Sequence, residues 1–112
     1  AALAFGGMIS TSNSALTEEW TGAGAPVGAW STGGNLNTAR TTLAGAGTQT
    51  AGLAFGGSPI PSVGALTEKY DGTSWTEVND LNTDRFGLGG AGVQTSAVAA
   101  GGESPAGGSS FK

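Results

Sequence analysis

The sequence contains no cysteine and no histidine. The first absence excludes disulfides and thiolate metal sites. The second removes the commonest general base and the commonest zinc, copper and iron ligand. Charge is also scarce, at 11% of 112 residues, with four Lys+Arg against eight Asp+Glu and a net charge of −4. No basic run is present to neutralise phosphates, so no nucleic-acid partner is expected. A neutral or positive partner, such as a glycan or a protein, fits this surface more easily. No apolar run approaches the roughly 18 residues of a transmembrane helix, so no membrane partner is expected either. The chain opens at Ala1, with neither Met nor a signal-peptide pattern, and reads as processed or as a piece of something longer.

Glycine is abundant, at 22 residues, and much of the apolar fraction of 38% is alanine. A disordered acidic chain would carry far more charge, and a collagen-like one would place glycine at every third position. The composition instead predicts a core of small side chains, held by close backbone approach.

A repeat organises the whole chain. Ala1-Ala2-Leu3-Ala4-Phe5-Gly6-Gly7 matches Ala51-Gly52-Leu53-Ala54-Phe55-Gly56-Gly57, and then Ser96-Ala97-Val98-Ala99-Ala100-Gly101-Gly102, at offsets of 50 and 45 residues. Ala15-Leu16-Thr17-Glu18 matches Ala65-Leu66-Thr67-Glu68, and Trp20 matches Tyr70. The next aromatic follows after 10 residues in the first copy (Trp30) and after 5 in the second (Trp75). The extra residues therefore fall in the Gly/Ala/Pro-rich stretch 21–29, as expected of a longer loop. Register then returns, Leu36-Asn37-Thr38-Ala39-Arg40 matching Leu81-Asn82-Thr83-Asp84-Arg85. The chain divides into repeat 1 (1–50), repeat 2 (51–95) and a partial repeat 3 (96–112), all within one array. A period near 45 is that of a unit of four strands.

Short runs punctuated by Gly, Pro, Ser and Asn predict an all-β fold. Four strands are expected per repeat. The first spans 43–48 and 88–94, rich in Gly and Ala. The second spans 2–6, 52–56 and 97–101, and the third 15–20 and 65–70. The fourth centres on Trp30 and Trp75. The double glycine after the second strand calls for positive φ or close approach, and Tyr70-Asp71-Gly72-Thr73-Ser74-Trp75 reads as strand, Asp-Gly turn, strand.

This order closely resembles the kelch motif. It has an arginine near the start of the inner strand (Arg40, Arg85), a Gly/Ala strand, a strand ending in Gly-Gly, and a Tyr/Trp pair about a turn. The resemblance spans the chain and implies four-stranded β-propeller blades, about two and a half per chain. The departures are Trp20 in place of Tyr, a short Tyr70–Trp75 spacing and Ala100 in place of Phe. The wording Leu-Asn-Thr-Ala-Arg, Leu-Ala-Phe-Gly-Gly and Asp-Gly-Thr-Ser-Trp also resembles repeats of viral and phage virion proteins, which implies a virion or extracellular setting.

Blades bury their faces only against neighbouring blades, and propellers use about four to eight of them. The chain starts at a second strand and stops inside a third, so the ring is expected to close with further repeats or as a homo-oligomer. In the oligomer, the strand at 88–94 of one copy would complete the blade that begins the next.

Glu18, Glu19, Glu68, Asp71, Asp80 and Asp84 are the acidic candidates for chemistry. A carboxylate pair could serve glycoside hydrolysis, but Glu18 and Glu68 are repeat-equivalent, which favours a part in the blade. Calcium at Asp71, Asn79 and Asp80 competes with an ordinary turn reading, which is preferred. Among kelch propellers the motif arginine lies near the central pocket. The resemblance thus makes Arg40 and Arg85, with Asn37 and Asn82, the ligand-binding candidates. The competing reading, that each arginine bonds loop carbonyls between blades, is preferred. Trp20, Trp30, Tyr70 and Trp75 could stack on sugars, or fill the space between blades, which is again preferred. Gly-Ala-Gly-Thr and Gly-Gly-Ala-Gly lack the Lys-Ser/Thr of a phosphate loop. The expected function is a non-catalytic, self-assembling interaction module without cofactor, the alternative being a lectin-like glycan binder. An oxidase of kelch-like type would need copper ligands that a chain without Cys and His lacks.

Overall fold

The computed structural model describes residues 2–9, 12–21, 29–58, 64–104 and 108–109. Most of the expected loop insertion at 21–29, and the end of repeat 3 beyond residue 109, lie outside the described residues.

The described residues contain strands and no helix. In chain order the strands are β1 (Ala2–Phe5), β2 (Met8–Ile9), β3 (Ser12–Asn13), β4 (Thr17–Thr21), β5 (Ala29–Thr32), β6 (Ala44–Thr48), β7 (Ala51–Phe55), β8 (Thr67–Tyr70), β9 (Trp75–Val78), β10 (Gly89–Val93), β11 (Ser96–Ala100), β12 (Glu103–Ser104) and β13 (Gly108–Ser109). Three main sheets follow one another. The first has the order β1-β4-β5, the second β6-β7-β8-β9 and the third β10-β11. All pairings are antiparallel. The second sheet is the full four-stranded unit expected of one repeat. The first repeats its last three strands and the third its first two.

Register follows the repeat. Ala4 faces Glu18 across β1 and β4, as Ala54 faces Glu68 across β7 and β8. Trp20 faces Trp30 as Tyr70 faces Trp75. The third strands begin two residues later than expected because the preceding residues are engaged elsewhere: Ala15 and Ala65 give their carbonyls to the N–H groups of Leu36 and Leu81, both at 2.8 Å. The double glycines end the second strands with positive φ, 72° at Gly56 and 113° at Gly57, a region open to glycine at little steric cost. The β8–β9 turn is closed by Asp71, whose Oδ1 accepts the N–H groups of Thr73 (2.8 Å) and Ser74 (2.9 Å).

Two elements had no counterpart in the expected pattern. The hairpin β2–β3 lies between the second and third strands of the first repeat, and β12–β13 follows the second strand of the third. Each strand has only two residues, too short for alternation to register in the sequence.

The inner strands explain the glycine content. A Cβ on Gly45 would lie 2.5 Å from Cζ of Phe5, and one on Gly90 the same distance from Cζ of Phe55. The first and second sheets thus each press a phenylalanine ring onto bare backbone of the next. Leu36, Ala54, Tyr70 and Trp75 form the buried core between the first two sheets, with Leu3, Phe5, Ala15 and Leu43 packed around them. Fully burying one large apolar side chain contributes about 1.5–3 kcal/mol, so these few rings dominate the apolar gain.

Candidate interaction surface

The junction between the first and second sheets shows what one repeat does for the next. Strand alternation places Ala54, Glu68, Tyr70 and Trp75 on one face of the second sheet. All four are buried, at 0%, 0%, 0% and 4% exposure. Polar groups among them are paired across the junction. The Trp75 indole N–H donates to Oγ1 of Thr17 at 3.0 Å. The Tyr70 hydroxyl donates to Oε2 of Glu19 at 2.5 Å and accepts the Gly34 N–H at 3.2 Å. Burial, and then the bond to Glu19, hold the Tyr70 hydroxyl above its usual pKa of 10.0. Phe5 meets Trp75 edge-on, centroids 5.0 Å apart.

Glu68 is the polar centre of this face. Its carboxylate accepts from Arg40 Nη2 at 2.6 Å and from the Asn37 N–H at 2.7 Å, with the Thr38 N–H at 3.4 Å. Arg40 Nη1 donates to the carbonyls of Gly56 (3.1 Å) and Leu66 (2.7 Å). Both charged side chains are fully buried, a burial tolerated only where the pair is well bonded. The loop that joins the first sheet to the second is therefore anchored by one carboxylate.

Glutamines at the inner hairpins tie the sheets further. Gln49 Nε2 donates to the carbonyls of Ala2 and Trp20, and Gln94 Nε2 to those of Gly52 and Tyr70, all at 3.0–3.1 Å.

The residues expected from the sequence to bind a ligand fall into this scheme unequally. Arg40 has no exposed surface and bonds to loop carbonyls and Glu68. Asn37 lends its backbone N–H to Glu68, and its side-chain amide donates to the Trp75 carbonyl at 3.0 Å. Arg85, the repeat partner of Arg40, donates to the Gly101 carbonyl at 3.3 Å. Asn82 is exposed. Arg40 and Asn37 thus belong to the same joining loop, the first buried and the second exposed, and Arg85 and Asn82 follow them 45 residues on, half-buried and exposed. Asp71 is committed to its own turn, whose N–H groups at Ser74 and Thr73 hold its carboxyl below the usual pKa of 3.8. Among the described residues no three Asp or Glu side chains converge as a metal site would require.

The same face of the first sheet is bare. Ala4 and Glu18 are exposed, Trp20 is half-buried and Trp30 is 48% exposed. Trp20 and Trp30 stack on each other at 5.5 Å. A groove of about 330 Å³ runs between β1 and the β6 hairpin, lined by Ala2, Leu3, Phe5 and residues 45–49. At the other end, Val93 and Val98 of the third sheet are 52% and 64% exposed. The sequence signal for these surfaces was the repeat itself, because a residue buried in one copy reports what its equivalent can bury.

Among the described residues no helix is long and apolar enough to cross a membrane. No protein-family model matches the chain, and no curated protein matches it.

Proposed function

We propose that this chain is a non-catalytic structural and interaction module of kelch-like β-propeller blades that assembles with copies of itself. The resemblance of its repeat wording to virion proteins supports a place in a virion. One observation carries the reading: a face built from repeat-equivalent residues is buried in the second sheet and open to solvent in the first. Stacking repeats gain stability only through such faces, and an unpaired strand edge beside them favours association. Exposed Trp30, Val93 and Val98 extend the apolar surface at the two ends. At two blades per chain, two to four chains would supply the roughly four to eight blades of a propeller.

Sedimentation velocity with light scattering tests this directly. The expected result is a defined oligomer, with a mass that is a small multiple of 10.8 kDa. A mass of one chain at every concentration up to the millimolar range would overturn the reading.

A further inference from the structure

The proposal of self-assembly leaves open which surfaces meet. Resting on that reading, we infer that the open face of the first sheet is covered by the second sheet of another copy, with β1 taking the place of β11 beside that copy's β10.

Three observations lead there. First, the inner strands β6 and β10 lie side by side, a Cβ on Gly90 falling 2.9 Å from the Gly45 carbonyl oxygen. An inner strand for the first sheet would lie against β6 on its other side, beside the unpaired edge of β1, where the groove runs. Second, β10 carries the sequence such a strand needs. Gly-Gly-Ala-Gly-Val matches the Ala-Gly-Ala-Gly-Thr of β6, and its partner β11 is exposed at every residue except the half-buried Ala99. β1 matches β7 better than β11 does, since it keeps Phe5 where β11 has Ala100.

The third observation concerns the side chains that would meet. Shifting the observed junction by one repeat turns Arg40–Glu68 into Arg85–Glu18, and Trp75–Thr17 into Trp30–Thr67. These residue types are unchanged. The exposed pair Thr38–Glu77 becomes Thr83–Thr32, and the partly buried pair Tyr70–Glu19 becomes Trp20–Lys69. Both members change together, and their chemistry still fits. Lysine cannot accept a tyrosine hydroxyl's hydrogen bond, but its cation is attracted to the face of an indole. Lys69 is exposed in the single chain, on the part of the second sheet that the two strands β10 and β11 do not reach. A surface meant for solvent has no reason to exchange Tyr and Glu for Trp and Lys at two positions that pair only across a junction. The arrangement is head-to-tail, so copies close into a ring when the rotation permits it.

The test is the association midpoint of the purified chain and three variants by sedimentation, with tryptophan emission as a second signal. Glu18→Arg would meet Arg85 of the neighbour, and should raise the midpoint by about a hundredfold or more. Lys69→Glu should raise it about fivefold, and Lys69→Glu combined with Trp20→Tyr, which recreates the Tyr–Glu pairing, should return it to within about twofold of the parent. Emission should shift to the blue on assembly as Trp20 and Trp30 become buried. Glu18 and Lys69 are exposed in the single chain, so these variants should keep its far-UV spectrum. If the parent associates but Glu18→Arg and Lys69→Glu associate equally well, this joint is wrong while self-assembly stands. If Lys69→Glu weakens association and Trp20→Tyr fails to restore it, the Trp20–Lys69 pairing is wrong. A parent that stays monomeric removes both readings.

Discussion

The first and second sheets present the same face in two states. In the second, Glu68 is sealed beneath a loop with Arg40, and Tyr70 and Trp75 lie against Phe5, Thr17 and Glu19. In the first, Glu18 stands in solvent, and Trp20 and Trp30 have each other for ring contact. The local sequence is nearly the same, Ala-Leu-Thr-Glu in both. The difference therefore comes from what is stacked on the face, and neither strand propensity nor turn chemistry can supply it. A single sheet of this chain is half of a structure, with its core at the junction.

Deleting the two equivalent carboxylates should separate the two sheets most strongly. Glu68→Ala leaves the Arg40 guanidinium buried with two carbonyls and no counter-charge. Removing one partner of such a pair costs about 3–5 kcal/mol. Glu18→Ala removes an exposed group, and should stay within about 0.5 kcal/mol when the chain is dilute enough to be monomeric. Urea denaturation at equal, low concentration compares the two. Equal losses would mean that burial of Glu68 is not what distinguishes the sheets.

A second pair of substitutions probes the inner strands. Gly45→Ala would drive its Cβ to 2.5 Å from the ring of Phe5, with the Leu53 carbonyl oxygen at 3.2 Å. Overpacking of this kind costs about 1–3 kcal/mol. At Gly89 the nearest atom to a new Cβ is the Ala100 carbonyl oxygen at 4.0 Å. Gly89→Ala should therefore be neutral within about 0.5 kcal/mol, or stabilise slightly by restricting the unfolded chain. Thermal melts of both variants would separate a glycine required by its neighbour from one that merely belongs to a glycine-rich strand.

Much of this arrangement was legible in the sequence for a physical reason. Repeats multiply each local signal. The Gly-Gly pairs, the Asp71-Gly72 turn and the recurring Ala-Leu-Thr-Glu placed four strands per repeat to within about two residues, the usual uncertainty of element boundaries. The sequence allows Arg40 to be a pocket residue or a binder of loop carbonyls, and its bonds to the Gly56 and Leu66 carbonyls are of the second kind. What the sequence could not supply was its carboxylate partner. Glu68 lies 28 residues away in the chain, and contacts between sheets leave no periodicity to read. The same holds for Tyr70 and Glu19, 51 residues apart. The two-residue hairpins left no signal because strands of two residues are too short to show alternation, and β12 is further tied by a bridge from Phe86 to Glu103, 17 residues on.

The two sheets should also differ, by a smaller amount, in their response to pH. Tyr70 is the only tyrosine in the chain, and its repeat partner is Trp20, which does not titrate. Burial and the bond to Glu19 raise the folded-state pKa of Tyr70 above 10.0. A group whose folded pKa is raised favours the folded state while it is protonated in both states. That contribution is fully present below pH 10, where the unfolded phenol is still protonated, and is lost as pH rises through the folded value. The parent should therefore lose stability above pH 10 more steeply than Tyr70→Phe, which has no phenol to ionise. Tyr70→Phe also leaves Glu19 and the Gly34 N–H without their shared hydroxyl. Its stability should accordingly be lower than the parent's at neutral pH, with the two curves converging in alkali. Parallel curves would show that the junction does not hold the phenol in its protonated form, and that Tyr70 differs from Trp20 in shape alone.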